Sequence, residues 1–292
     1  GLEFSSNSLD DRIEGYDIRT QQTANIFGGY VQSEWKSNKL NMLLGARADK
    51  HSLLNTPVIS PRVNLLYKPA TNLQLRASYS SGYRAPQVYD EDLHVTQVGG
   101  ESVRIQLAEN LRPEYSHSTS LSADYYVRIN ENLQANFLFE GFYTVLNDVF
   151  ALRTIGHDTN TQTMIQERYN ASGATVLGAS LTAKLSYKDF LVISAAYTLQ
   201  SSRYKETEYW SEDHSVEGTD KLLRSPDDYG FVSVDYNPTK KLGINVSGTY
   251  TGKMLVPHFA GYIENDRLET TQRFFDLNTA VNYDFKITKN NT

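Results

Sequence analysis

Cysteine is absent from the 292 residues. That excludes a disulfide framework, a thiolate zinc site and a cysteine nucleophile. No run of about 18 apolar residues occurs, which excludes a transmembrane helix. Positive charge is not in excess either: Lys and Arg number 28 against 34 Asp and Glu, a net charge of −6. Nothing in that balance favours nucleic acid as a partner. Catalytic motifs are equally scarce. The histidines, His51, His94, His117, His157, His214 and His258, are scattered without HExxH spacing, and GxSxG, P-loop and GxGxxG patterns are missing. Ser33 and Lys36 form a lone SxxK without the companion motifs that a serine acyl-enzyme requires. No leader peptide is visible, and Gly1 in place of an initiator Met suggests a trimmed start. What the chain does have is aromatic residues, with Tyr 20 and Phe 12. Tyrosine suits surfaces that are apolar on one side and wet on the other.

A period of two recurs along the chain. In the stretch 242–250, Leu242, Ile244, Val246, Gly248 and Tyr250 alternate with Gly243, Asn245, Ser247 and Thr249. In 275–285, Phe275, Leu277, Val281, Tyr283 and Phe285 alternate with Asp276, Asn278, Asn282 and Asp284. In 133–145, Leu133, Ala135, Phe137, Phe139, Tyr143 and Val145 share a face. Similar runs at 27–35, 40–49, 63–67, 73–79, 121–127, 179–187, 191–199 and 232–236 predict about eleven strands, each apolar on one side and polar on the other. Many approach the 9–11 residues with which a tilted strand crosses a bilayer.

The connections alternate in length. Tight polar turns rich in Asn, Lys, Asp and Pro lie at 36–39, 68–72, 128–132, 188–190 and 237–241. Between them come long connections near 82–116, 148–166, 202–224 and 254–272, with a shorter one at 50–60. In an antiparallel meander, alternate connections fall at opposite ends, so the long ones share one end and the tight ones the other. The expected fold class is therefore all-β, an antiparallel meander of long strands forming part of an outer-membrane β-barrel, apolar towards lipid and polar towards a lumen. A soluble carbohydrate-binding β-sandwich also alternates, but its strands are usually shorter and its loop lengths need not alternate.

Two motifs carry a resemblance. Tyr83-Arg84-Ala85-Pro86 closes a strand, and Asn110-Leu111-Arg112-Pro113-Glu114-Tyr115-Ser116 opens the next after a long loop. Blocks at 141–150, 169–187, 223–236 and 249–256 follow in order. The chain resembles the TonB-dependent outer-membrane receptor/transporter family over nearly its whole length, with fewer residues between Asn110 and Leu111 than the family pattern. The resemblance implies a large barrel of the roughly 22-stranded type, an N-terminal plug domain, and a short box that engages the TonB–ExbB–ExbD complex. Residues 1–292 would be a partial barrel domain, without plug, TonB box or closing C-terminal strands. The implied function is energy-coupled uptake of a scarce nutrient (a ferric siderophore, cobalamin, glycan or peptide) across the outer membrane of a Gram-negative bacterium. A surface lipoprotein is a further possible partner, and no bond chemistry or cofactor is expected. A passive porin-like channel is the alternative.

Candidate ligand contacts sit where outward loops combine aromatic and charged side chains: Tyr83, Arg84, Tyr89, Asp90, Glu91, Asp92 and His94 in one loop, Tyr209, Trp210 and His214 in another. Asp90, Glu91 and Asp92 could ligate calcium, but they lack the glycine turn and distal glutamate of an EF-hand, so a solvated acidic loop is the stronger reading. Tyr209 and Trp210 equally suit a membrane-interface aromatic belt. Arg47, Arg62 and Arg76 fall on the polar faces of consecutive strands, where they could meet plug carboxylates, line a passage or pair with neighbouring strands.

Overall fold

The computed structural model describes residues 1–13, 18–87, 102–158, 163–209, 216–258 and 267–285. Among them there is no helix. The strands are β1 (Leu2–Ile13), β2 (Ile18–Lys36), β3 (Leu40–His51), β4 (Val58–Ala70), β5 (Leu73–Arg84), β6 (Ser102–Leu107), β7 (Glu114–Arg128), β8 (Leu133–Asn147), β9 (Phe150–Asp158), β10 (Thr163–Asn170), β11 (Ala174–Tyr187), β12 (Leu191–Glu208), β13 (Thr219–Lys221), β14 (Asp228–Thr239), β15 (Leu242–Thr251), β16 (Leu255–His258), β17 (Arg267–Thr270) and β18 (Phe274–Tyr283). One sheet runs β1-β2-β3-β4-β5-β7-β8-β11-β12-β14-β15-β18, with β13 appended to β12. Every neighbouring pair on that path is antiparallel.

The path contains twelve strands rather than about eleven. The additional one is β1, which the alternation did not mark. Nor are the long connections without structure. β6, β10 and β9 form a three-stranded sheet in which β6 runs parallel to β10, and β16 pairs with β17. The sandwich alternative is not supported. The path is a single sheet, and the two other sheets among the described residues are only a three-stranded and a two-stranded one.

Local chemistry explains the tight end. Asn130 Oδ1 accepts from the Asn132 and Leu133 amides at 2.9 and 3.0 Å, an Asx turn between β7 and β8. Thr239 Oγ1 does the same for Lys241 and Leu242 between β14 and β15. Lys188 takes a positive φ of 49° in the β11–β12 turn. At the opposite end the β1–β2 hairpin extends beyond its neighbours. The β2–β3 ladder begins at Ile26 opposite His51, so residues 18–24 of β2 pair with β1 alone.

Register fixes two unlike faces, because directly opposed residues point the same way. One face carries Leu44 opposite Val63, Tyr67 opposite Leu75, Ala77 opposite Leu121, Ala123 opposite Phe139, Leu181 opposite Tyr197, and Val234 opposite Val246. These side chains are not packed inside: Leu121 is 62% and Phe139 55% exposed. The other face carries hydroxyl ladders. Ser78 meets Ser120 at 2.8 Å, Ser118 meets Thr144 at 2.9 Å, and Ser180 meets Thr198 at 2.8 Å. The only cluster of buried apolar residues among the described ones is small: Leu54, Val58 and Ala85, with Tyr83 and Tyr115 against it. A water-soluble domain would bury the apolar face and expose the polar one. This sheet leaves the apolar face open, as a lipid-facing wall requires.

Candidate functional site

The end of the sheet with the long connections gathers the chemistry. β5 stops at Arg84, just before Ala85-Pro86, since proline has no amide to donate to the ladder. Arg84 Nη2 meets Glu114 Oε2 at 2.6 Å across the first rung of β7, and its guanidinium lies 4.8 Å from the Phe150 ring centre. Glu114 Oε2 also accepts from the Phe150 amide at 3.1 Å. Two connections distant in sequence are thereby joined. Arg112 pairs with Asp148 at 2.6 Å, and Asn170 bonds the backbone of both Arg112 and Asp148. Arg168, from β10, donates to the Gln87 carbonyl at 2.6 Å. Arg153 and Glu167 pair across β9 and β10.

The next connection is attached as well. Glu208, at the end of β12, accepts from Tyr169 at 3.4 Å and from Ser172 at 3.2 Å. Burial, then the nearby Glu208 carboxylate, pushes the Tyr169 and Tyr204 phenols up from their ordinary range. Lys205 reaches Asn147 at 2.8 Å. At Gly173, with φ 100°, a Cβ would come within 2.6 Å of the Leu146 carbonyl, so glycine is required where the chain enters β11. Among the described residues, the connections after β5, β8 and β12 are thus bonded to one another.

Tyr83 packs against the Leu54–Val58–Ala85 cluster, its ring edge-on to His51 at 6.5 Å. Arg84 is held by Glu114 and Phe150, so both residues lie in the packing that anchors the outer loops. Tyr209 follows β12 and is half exposed. Tyr89, Asp90, Glu91, Asp92, His94, Trp210 and His214 lie outside the described residues. Phe150, Tyr169 and Glu208 were not singled out from the sequence, and Glu114 entered only as part of the motif that opens its strand. Their contacts span 30 or more positions, and no local pattern marks those pairings.

By register, Arg47, Arg62 and Arg76 share the face of the hydroxyl ladders. Arg47 bonds Asp49 at 2.8 Å and Glu3 at 2.7 Å. Arg76 reaches Asp124 at 3.3 Å and Gln74 at 2.8 Å. Asp124 is buried and also accepts from Asn136 at 2.6 Å and Tyr126 at 2.9 Å. Arg62, opposite Gly45 and Ser80, has no ion-pair partner among the described residues. Among the described residues no three His, Asp or Glu side chains gather as a metal site.

A family model described as TonB dependent receptor-like, beta-barrel matches residues 1–292. The chain belongs to the TonB-dependent receptor β-barrel family. No curated protein matches it. Similar solved structures include the ferric enterobactin receptor PfeA of Pseudomonas aeruginosa in complex with BCV-L6, at 18% identity and TM-score 0.70, over 98% of this chain and 43% of that one. The siderophore receptor PirA of Acinetobacter baumannii is 18% identical with TM-score 0.65, over 91% and 40%. The FrpB iron transporter of Neisseria meningitidis (F3-3 variant) is 18% identical with TM-score 0.61, over 91% and 39%. This chain therefore spans about two fifths of each, and the likeness is one of fold.

Proposed function

We propose that the chain is the barrel-wall portion of an outer-membrane receptor that takes up a scarce nutrient by TonB-coupled transport. One observation carries the reading. A family-matched sheet keeps its apolar face open, its polar face hydrogen-bonded, and all its long connections at one end. On this reading the tight turns face the periplasm and the bonded outer layer faces the medium. The twelve strands contribute part of a closed wall around a plug supplied elsewhere in the full-length protein. The wall does no bond chemistry. It holds the outer loops rigidly, and Tyr89, Asp90, Glu91, Asp92, His94, Tyr209, Trp210 and His214 contribute recognition, together with Tyr83 and Arg84 at the base of the first loop. Ferric chelates are the first ligands to assay, because the similar structures are named for siderophores and iron. Cobalamin, glycans and peptides complete the panel.

The test is uptake by the host bacterium. Cells with and without the full-length gene are starved of iron and given radiolabelled ferric enterobactin or cobalamin, with and without a protonophore. Uptake of at least one ligand should require the gene and collapse with the proton gradient. Gene-dependent uptake that ignores the gradient would replace this reading with a passive channel.

A further inference from the structure

We propose that His51 is an acid-sensitive latch at the end of the sheet that carries the long connections. Neutral, it fastens the β3–β4 connection to the end of β5; protonated, it releases them. Among the described residues His51 is the largest side chain that is fully enclosed, at 1% exposure. It ends β3, opposite Ile26 of β2 and just past the β3–β4 ladder, which closes at Asp49 and Val58. Three bonds fold the connection back over it. The Leu53 amide donates to His51 Nδ1 at 3.1 Å, the Leu54 amide to the His51 carbonyl at 3.1 Å, and the Ser52 amide to the Asn25 carbonyl at 2.8 Å. Leu54 then packs with Val58 and Ala85, against Tyr83 and Tyr115. Ala85 opens the long connection after β5, so whatever lifts Leu54 also frees the start of that loop.

The bonds fix the protonation of the ring. An Nδ1 that accepts from Leu53 carries no proton, so the proton of the neutral imidazole is on Nε2. Nε2 is shut off from water and has no hydrogen-bond partner among the described residues. A second proton would have to go to Nδ1. It would turn that acceptor into a donor aimed at the Leu53 amide, and would place a cation where neither water nor a free carboxylate receives it. Among the described residues, the carboxylate close enough to favour the cation is Asp49, two residues back on the same face of β3. It is already engaged: Arg47 donates to it at 2.8 Å, and the Tyr83 hydroxyl bonds it as well. The other titratable or charged groups on the surrounding elements are Lys50 on β3, Glu3 on β1 and Tyr115 on β7. Glu3 accepts from Arg47 at 2.7 Å, and Lys50 donates to the Leu54 and Asn55 carbonyls at 3.4 and 3.1 Å. Asn25 and Ile26 of β2 and Val58 of β4 bring no charge. Once the connection lifts, the ring meets water and titrates near 6.5. The lifted state therefore binds the extra proton, so the latch holds above about pH 6.5 and loosens as pH falls below it.

The experiment follows hydrogen exchange of the full-length protein in phospholipid vesicles between pH 8 and pH 5, corrected for intrinsic rates. A ring that stays neutral when latched and titrates at about 6.5 when free raises the open fraction about 30-fold over that range. Protection of the amides at 52–54 should fall by about tenfold or more, starting near pH 6.5. The Leu133 and Leu242 amides, held by Asn130 and Thr239, have no titrating partner and should keep their protection. His51→Asn offers Oδ1 to the Leu53 amide in place of Nδ1 and cannot titrate, so its protection at 52–54 should change less than about threefold. Nitrogen spectra of histidine-labelled wild type read the ring without any substitution. One imidazole should remain neutral, with its proton on Nε2, at pH 5.5, where exposed rings are mostly charged. A loss below about threefold in wild type, an equal loss in His51→Asn, or a spectrum in which every ring charges together overturns the latch. Each of those results leaves the barrel reading in place, because the latch goes beyond it.

Discussion

An arginine at position 139 tests the two-faced wall directly. Phe139 lies six residues beyond Leu133, where β8 leaves its tight turn. At about 3.3 Å per residue and a tilt of roughly 40°, that places it about 15 Å into the wall, near the middle of a bilayer core of about 30 Å. It opposes Ala123 and Leu181 on the apolar face, with no acidic side chain opposite it. Arginine at such a depth on the lipid side costs about 2–4 kcal/mol, a shift of about 30- to 1000-fold in the folding equilibrium. Its sequence neighbour Glu140 has the same depth and the opposite direction, facing Ser122 and Ser180. Glu140→Arg should cost less than about 1 kcal/mol, because that face is polar. The assay is reversible urea unfolding of the full-length protein in phospholipid vesicles, comparing Phe139→Arg, Glu140→Arg and wild type. Equal stability of the two variants would refute the assignment of faces, whatever their absolute values.

Further outcomes follow from single contacts. Asp124→Ala leaves Arg76, Asn136 and Tyr126 without their shared acceptor and should cost about 1–3 kcal/mol in the same unfolding assay, whereas Asp124→Asn should lose less; equal losses would count against the network. Arg84→Ala should loosen both connections joined at Glu114, read as faster protease cleavage around residues 85–113 and 148–173, and unchanged cleavage would show that this pair does not anchor them. The Arg19 guanidinium, then the Gln21 amide, holds the Asp10 carboxyl below its ordinary range. Its contribution to the protruding β1–β2 hairpin is therefore present above about pH 4 and lost as pH falls through the depressed value. Hydrogen-exchange protection at the hairpin, corrected for intrinsic rates, should fall as the pH drops below about 4 in wild type and stay constant in Asp10→Asn. Replacing Tyr89, Asp90, Glu91, Asp92 and His94 with alanine should weaken capture of the transported ligand; unchanged uptake would make that cluster solvated surface.

The sheet was legible where burial is uniform along a face. β15 alternates cleanly because each side chain meets either an apolar or a polar surface, and the period of two is imposed residue by residue. β1 was not legible. Leu2 and Phe4 fall on one face while Leu9 falls on the other, so its apolar residues do not mark a side. Its place comes from its ladder with β2. β6 was hidden for another reason. Six residues inside a long polar connection pair in parallel with β10, some 60 positions later, and nothing local announces such a partner.

Composition and alternation by themselves determined the class of fold, the two unlike faces, and the end at which the long loops gather. Those are local properties, fixed by the alternate directions of successive Cβ atoms and by turn chemistry. Only the tertiary structure decided who meets whom: Arg84 with Glu114 and Phe150, Arg76 with Asp124, and Glu208 with Tyr169. Each pairing depends on register between strands distant in the chain, and a shift of one residue would exchange every partner and turn each side chain to the opposite face.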